Sequence, residues 1–190
     1  MPESAQYPPD AHYAQGFPAI ANTASRLLIL GSMPGLASLR AGQYYAHPRN
    51  QFWPIMAAIL GIDLVALAYP QRRQALLDAG IALWDVLQSC HRPGSLDADI
   101  APDSVVVNNF PTFFQQHPAI CHVYFNGAAA EQHFKRRVEP FLSHCQTSSL
   151  SFQRLPSTSP AHAALDFPAK LTVWRAVAKI LGQTGELRQD

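Results

Sequence analysis

Charge is scarce in this chain. Only 14% of its 190 residues are Asp, Glu, Lys or Arg, and fourteen basic against thirteen acidic side chains leave a formal net charge of +1. So balanced a composition gives no broad positive field, which excludes a nucleic-acid coat protein or a tight nonspecific binder. A local basic rim with a few phosphate contacts remains compatible with it. Cysteine is also sparse. Cys90, Cys121 and Cys145 are widely spaced and form no CxxC pair, so neither a disulfide framework nor a zinc site is expected. Each has a histidine neighbour (His91, His122, His144), but consecutive strand residues point to opposite faces, which is poor ligand geometry. Reduced thiols and no metal or organic cofactor are expected; an iron–sulfur cluster would need a fourth cysteine ligand. No apolar run is long enough to span a bilayer, and the opening MPESAQYPPDAHYAQGFPAI lacks the basic and apolar regions of a secretory signal. A soluble, cytoplasmic monomer is expected.

What is present is a good deal of apolar material. At 48% hydrophobic the chain can bury one sizeable core, and with no repeat and no linker a single domain over residues 1–190 is expected. Residues 1–22, rich in Pro, Ala and Tyr, read as an irregular arm packed over it. Strands are expected at Leu27 to Leu30, Ile81 to Leu87, His122 to Phe125 and Phe152 to Leu155. Helices are expected at Phe52 to Leu60, Gln71 to Asp78, Phe113 to His117, Ala128 to Phe141 and Ala169 to Leu181. The last carries Leu171, Trp174, Val177, Ala178 and Leu181 on one stripe. Strands alternating with helices imply a three-layer α/β/α fold around a mostly parallel sheet of about four strands. Its strand ends would deliver four polar loops to one edge, 31–35, 85–91, 126–127 and 156–162, and that edge is where open α/β sheets bind ligands.

Residues 28–54, LILGSMPGLASLRAGQYYAHPRNQFWP, are the most specific stretch. An apolar strand runs into Gly31-Ser32-Met33-Pro34-Gly35, and an aromatic pair precedes His47-Pro48-Arg49-Asn50-Gln51-Phe52-Trp53. This block resembles the uracil-DNA glycosylase superfamily, whose first motif is a GxxPG-type loop. Within it the wording resembles the mismatch-specific type (GINPG with AHPxNxFW) and most of all the hypoxanthine-DNA, or deoxyinosine, branch. The resemblance covers most of the chain in its order of elements, with weaker support from HVYFNG and LPSTSP. It implies a monofunctional DNA glycosylase that flips a deaminated base, most of all hypoxanthine, out of DNA and leaves an abasic site. Uracil excision and an inactive DNA-binding module are the alternatives.

The resemblance also implies roles. Gly31, Ser32, Met33, Tyr45 and Asn126 would surround the base, with Tyr45 stacking on it; the other reading of Tyr44 and Tyr45 is as half-buried loop anchors. Asn50 could read a base edge or place water, or could cap the following helix. Met33 departs from the relatives, which hold Asn or Asp at that position to orient water. A purine can instead depart through stabilisation of the leaving group by preorganised donors. Asn126 is the leading donor, with Asn109 and Asp85 as further polar candidates. Asp85 would face the developing oxocarbenium ion or cap a loop amide. Pro34, Gly35, Pro156, Ser157, Thr158, Ser159 and His162 are expected on the DNA, with Ser157 and Ser159 at phosphates. Arg49, Arg92 and Arg154 are candidates for a basic rim. The three lysines (Lys135, Lys170, Lys179) all fall on expected helices, which disfavours Schiff-base lyase chemistry.

Overall fold

The computed structural model describes residues 12–182. In chain order, β1 (Tyr13–Gln15) and β2 (Leu27–Gly31) precede α1 (Leu36–Ala41), α2 (Phe52–Leu60) and α3 (Tyr69–Asp78). Then come β3 (Ile81–Asp85), β4 (Leu87–His91), β5 (Val106–Val107), α4 (Phe110–Gln116), β6 (His122–Asn126) and α5 (Ala128–Arg137). The chain closes with α6 (His144–Ser149), β7 (Ser151–Leu155) and α7 (Phe167–Gly182). No helix among the described residues is long and apolar enough to cross a membrane.

The centre is a four-stranded sheet in the order β3-β2-β6-β7, and its three pairings are all parallel. Strand β2 lies inside it, and Leu27 to Leu30 are fully buried, as expected of a parallel strand covered on both faces. Alternation along the strands divides the core in two. Leu28, Leu30, Ala82, Val123 and Phe125 pack with Phe110, Phe114 and Phe134 of α4 and α5. Leu27, Ile29, Leu83, Tyr124 and Leu155 face Phe52, Ile55, Leu76 and Trp174 of α2, α3 and α7. Helices therefore cover both faces of the sheet, the expected three layers.

Several boundaries differ from the sequence expectation. Ile81 to Leu87 is not one strand. Val86 and Leu87 donate to the carbonyls of Gly31 and Ser32, following the loop out of β2, and Leu87–His91 then joins β1 and β5 in a small antiparallel sheet. The described part of the arm is not wholly irregular either, since β1 pairs with β4 and Ile20 bridges to Leu83. Its first eleven residues lie outside the described residues. Helix α5 stops at Arg137, and a single tight turn, Glu139–Phe141, follows, because Pro140 lacks the amide a continuing helix would use. Helix α4 begins three residues early, with Asn109 Oδ1 accepting from the Thr112 amide and Pro111 in the first turn.

Candidate active site

Three of the four parallel strands end at residues that converge on one cleft. Gly31, the last residue of β2, lies in register with Asp85, the last of β3, and Asn126 ends β6. Together with the 157–160 loop after β7 these ends line a cavity of about 150 Å³. Gly31 is required by close approach: a Cβ there would collide with the Asp85 carboxyl and come within 3.2 Å of the Tyr45 hydroxyl. Beyond it, Ser32 Oγ donates to Asp97, the Pro34 carbonyl accepts from Arg92, and the Leu36 amide donates to Ser95 Oγ at 2.9 Å. The 92–97 segment thus fastens the loop at three points. Met33 lines the cleft but is 7% exposed and belongs to the apolar cluster of Leu30 and Val86.

The two tyrosines divide the labour that the sequence left open. Tyr44 is the anchor: it is buried, its hydroxyl lies on the Phe17 and Pro18 carbonyls, and its own carbonyl accepts from Trp53 Nε1 at 3.0 Å. Tyr45 adopts φ 54°, a left-handed conformation unusual for an aromatic residue. That turn lays its ring on Phe52, with centroids 4.1 Å apart and planes 23° from parallel, and leaves the rest of the ring to line the cleft. Asn50 Oδ1 accepts from the Phe52 amide at 2.9 Å, which ties it to the start of α2. Only the oxygen can accept, so the amide nitrogen is the end left over, in a residue that lines the cleft.

Asn126 is spent largely on the neighbouring loop. Its Oδ1 accepts from the Thr158 amide and its Nδ2 donates to Thr158 Oγ1, both at 2.9 Å. One amide hydrogen and one lone pair remain. The Gln51 amide also donates to the Thr158 carbonyl at 3.0 Å, so Thr158 is buried between two elements while Ser157 and Ser159 stay half-exposed on the cleft. Gly127, at φ 102°, lets this loop come close, because a Cβ there would meet Ser157 at 2.9 Å.

Asp85 is 3% exposed, and its Oδ2 is buried without a hydrogen-bond partner. Burial, reinforced by the nearby Asp97 charge and opposed by Arg92, pushes its pKa up to about 8. The Tyr45 hydroxyl is likewise buried and unpartnered; burial, then the Asp85 charge, drives its ionisation well above the usual range.

The structure gathers Gly31, Ser32, Met33, Pro34, Gly35, Tyr45, Asn50, Asp85, Asn126, Ser157, Thr158 and Ser159 around the cleft. It leaves three candidates outside. Asn109 caps α4, the Pro156 carbonyl accepts from Trp174 Nε1, and the His162 carbonyl accepts from Lys170 Nζ. The rim arginines separate too: Arg92 is buried at 2% exposure, Arg154 pairs with Glu131 at 3.1 Å, and Arg49 is exposed. Ser38, His47, Ser95 and Asp97 line the cleft although sequence reasoning passed over them. His47 sat in the quoted motif; Ser95 and Asp97 had no local signal, since they reach the loop from about sixty residues away. Among the described residues no cluster of His, Cys, Asp and Glu is placed to hold a metal.

Comparison with known proteins places this geometry. A hypoxanthine DNA glycosylase of Methanosarcina barkeri is 40% identical over 113 residues, 60% of this chain and 70% of the relative. A hypoxanthine DNA glycosylase of Methanosarcina acetivorans is 33% identical over 148 residues, 78% of this chain and 87% of the relative. The solution NMR structure of a provisionally designated uracil DNA glycosylase from Methanosarcina acetivorans superposes with a TM-score of 0.75 at 29% identity, covering 90% of this chain and 99% of that one. The family model of the uracil DNA glycosylase superfamily matches residues 18–178, the whole span from the arm to α7, so the chain belongs to the uracil DNA glycosylase superfamily.

Proposed function

We propose that this DNA glycosylase hydrolyses the N-glycosidic bond of deoxyinosine in DNA, releasing hypoxanthine and leaving an abasic site. The observation that carries the reading is the make-up of the cleft. An aromatic platform (Tyr45), an amide with an unspent donor (Asn50) and a loop of hydroxyls (Ser157, Ser159) surround one cavity. The two hypoxanthine DNA glycosylases among the relatives support the choice of base. The nucleotide leaves the stack and its base enters the cleft, because the scissile bond is out of reach inside a duplex. Stacking on Tyr45 contributes about 1–3 kcal/mol. Asn50 Nδ2 donates to the base edge or to water. Ser157 and Ser159 meet the flanking phosphates, while Asn126 holds that loop in place through Thr158.

The enzyme is monofunctional in this reading. No lysine lines the cleft among the described residues, and the Lys170 ammonium is bound to the His162 carbonyl 2.8 Å away. A Schiff base with the abasic sugar needs a free amine. Uracil is the second candidate base, favoured by the designation of the structural neighbour. The test is a single-turnover incubation with labelled duplexes carrying one deoxyinosine, deoxyuridine or deoxyxanthosine, followed by alkaline cleavage of abasic sites. The expected product is strongest for deoxyinosine. A pattern dominated by deoxyuridine would move the protein to uracil repair, and binding without product on any duplex would make it an inactive DNA-binding module.

A further inference from the structure

The cleft contains a buried carboxyl group with one oxygen left without a hydrogen-bond partner. Among the described residues no donor reaches Asp85 Oδ2, and the side chain is nearly sealed from solvent at 3% exposure. The Arg92 guanidinium nearby donates to the Pro34 carbonyl, and although its Nε and Nη1 are buried without a partner they make no hydrogen bond to the Asp85 carboxyl. An isolated carboxylate in such a place is costly, and the ordinary outcome is that the group keeps its proton. A neutral carboxylic acid is a hydrogen-bond donor. Gly31 leaves the space beside it empty of side chain, so the carboxyl belongs to the same cavity as Tyr45 and Asn50.

We propose that Asp85, as a protonated acid, donates to the departing purine and supplies the leaving-group stabilisation that Met33 makes necessary. This rests on the glycosylase reading above. The C1′–N9 bond breaks with its electron pair going to the purine, and the Asp85 O–H stabilises that charge by a hydrogen bond to an acceptor on the base, its carbonyl oxygen or a ring nitrogen. Water adds its oxygen to C1′, and the proton it gives up goes to the released purine anion, so Asp85 ends the cycle still protonated. Bases that have lost an amino group by deamination gain a carbonyl acceptor, so the donor suits that class of substrate. The groups that bear on this proton are Asp97 and Arg92 from the 92–97 segment, Tyr44, Tyr45 and His47 from the α1–α2 connection, and Tyr69 of α3. Asp97 favours the acid, and Arg92 opposes it less than burial favours it.

The mechanism predicts a rate that falls with pH, the reverse of what a catalytic base would give. The wild-type protein, D85N and D85A would be compared in single-turnover excision of deoxyinosine from about pH 6 to about pH 10. Wild type should hold a plateau and then lose about tenfold per pH unit above the ionisation of Asp85. D85N keeps a neutral donor, so it should stay within about tenfold of the plateau and show no alkaline fall. D85A should lose on the order of a hundredfold or more, the usual cost of removing one such donor. A wild-type rate that is flat or rises through alkaline pH, or a folded D85N as slow as D85A, would overturn the role of Asp85 while leaving deoxyinosine excision standing. No wild-type product at any pH would remove the glycosylase reading and this inference with it. Infrared difference spectra of wild type against D85N give a check free of catalysis: a protonated carboxyl band should appear at neutral pH, and a carboxylate band in its place would refute the proposal.

Discussion

Replacing Asp85 by asparagine should change how the stability of the protein depends on pH, and the size of the change follows from its burial. The folded protein holds the Asp85 proton up to about pH 8, against an ordinary value of 3.8. Between those limits the folded state carries one proton more than the unfolded chain at this site. Stability therefore falls as pH rises, by about 1.4 kcal/mol per pH unit. The contribution is fully present below the unfolded value near 4 and is lost by the folded value near 8. Across that window it amounts to roughly 6 kcal/mol, comparable with the whole folding free energy of a marginal domain. Asparagine has no proton to hold, so D85N should lack this slope while keeping the shape of the side chain. Urea unfolding of both proteins at a series of pH values measures the difference directly, and titrations elsewhere in the chain largely cancel in it. The stability of D85N relative to wild type should climb through the neutral range. A difference that stays constant, or one that moves toward wild type as pH rises, would mean that Asp85 is ionised in the fold.

Gly31→Ala drives a methyl group into the Asp85 carboxyl, so single-turnover excision should fall on the order of a hundredfold with the circular dichroism of the fold retained; an unaffected rate would show that the contact is not part of the site. Asn126→Ala removes both bonds to Thr158, about 0.5–1.5 kcal/mol each, and should lower the melting temperature and weaken DNA binding together, which thermal melts and fluorescence anisotropy would separate. Tyr45→Phe keeps the ring on Phe52 and removes a buried hydroxyl without a partner, so stability should hold or rise, whereas Tyr45→Leu should lose about 1–3 kcal/mol of base binding, read as the DNA concentration for half-maximal excision. Asn50→Ala should slow excision at saturating enzyme and also cost about 1 kcal/mol of stability through the Phe52 amide; loss of stability alone would reduce Asn50 to a helix-start residue.

The elements legible in the sequence are those whose burial is periodic. The bounds of α2 follow from an apolar stretch closed by Gly61, and β2 from a short apolar run ending at Gly31. What escaped was decided by partners distant in the chain. Leu36–Ala41 holds good helix formers closed by Gly42 but is too short to show a periodic stripe, and Ser95 Oγ accepts from its first amide, Leu36. Gln88 to Asp99 reads in sequence as a polar, turn-rich stretch after an expected strand ending at Leu87, yet Leu87–His91 becomes a strand between β1 and β5. Within the site, the motif residues announced themselves, but their division of labour did not. Asn126 looks the same in sequence whether or not its amide clamps Thr158, and those two bonds depend on the return of the 157–159 loop to the same edge. Asp97 reaches Ser32 across 65 residues, beyond any local pattern.

Met33 and Asp85 pose one problem between them. A side chain that orients the attacking water would have to stand where Met33 packs among Leu30 and Val86, and a polar group in that apolar cluster would lose more in desolvation than a single water contact returns. The end of β3 offers a polar group one strand away, where the lack of a side chain at Gly31 leaves room for the Asp85 carboxyl. Such a group favours one kind of substrate. Water activation helps every base equally, because it acts on the sugar, whereas a donor on the leaving group helps in proportion to the charge that the base can accept at its acceptors. A purine with a carbonyl and several ring nitrogens has more such places than a pyrimidine, so a cleft that used the acid of Asp85 and the amide of Asn50 would gain most from hypoxanthine.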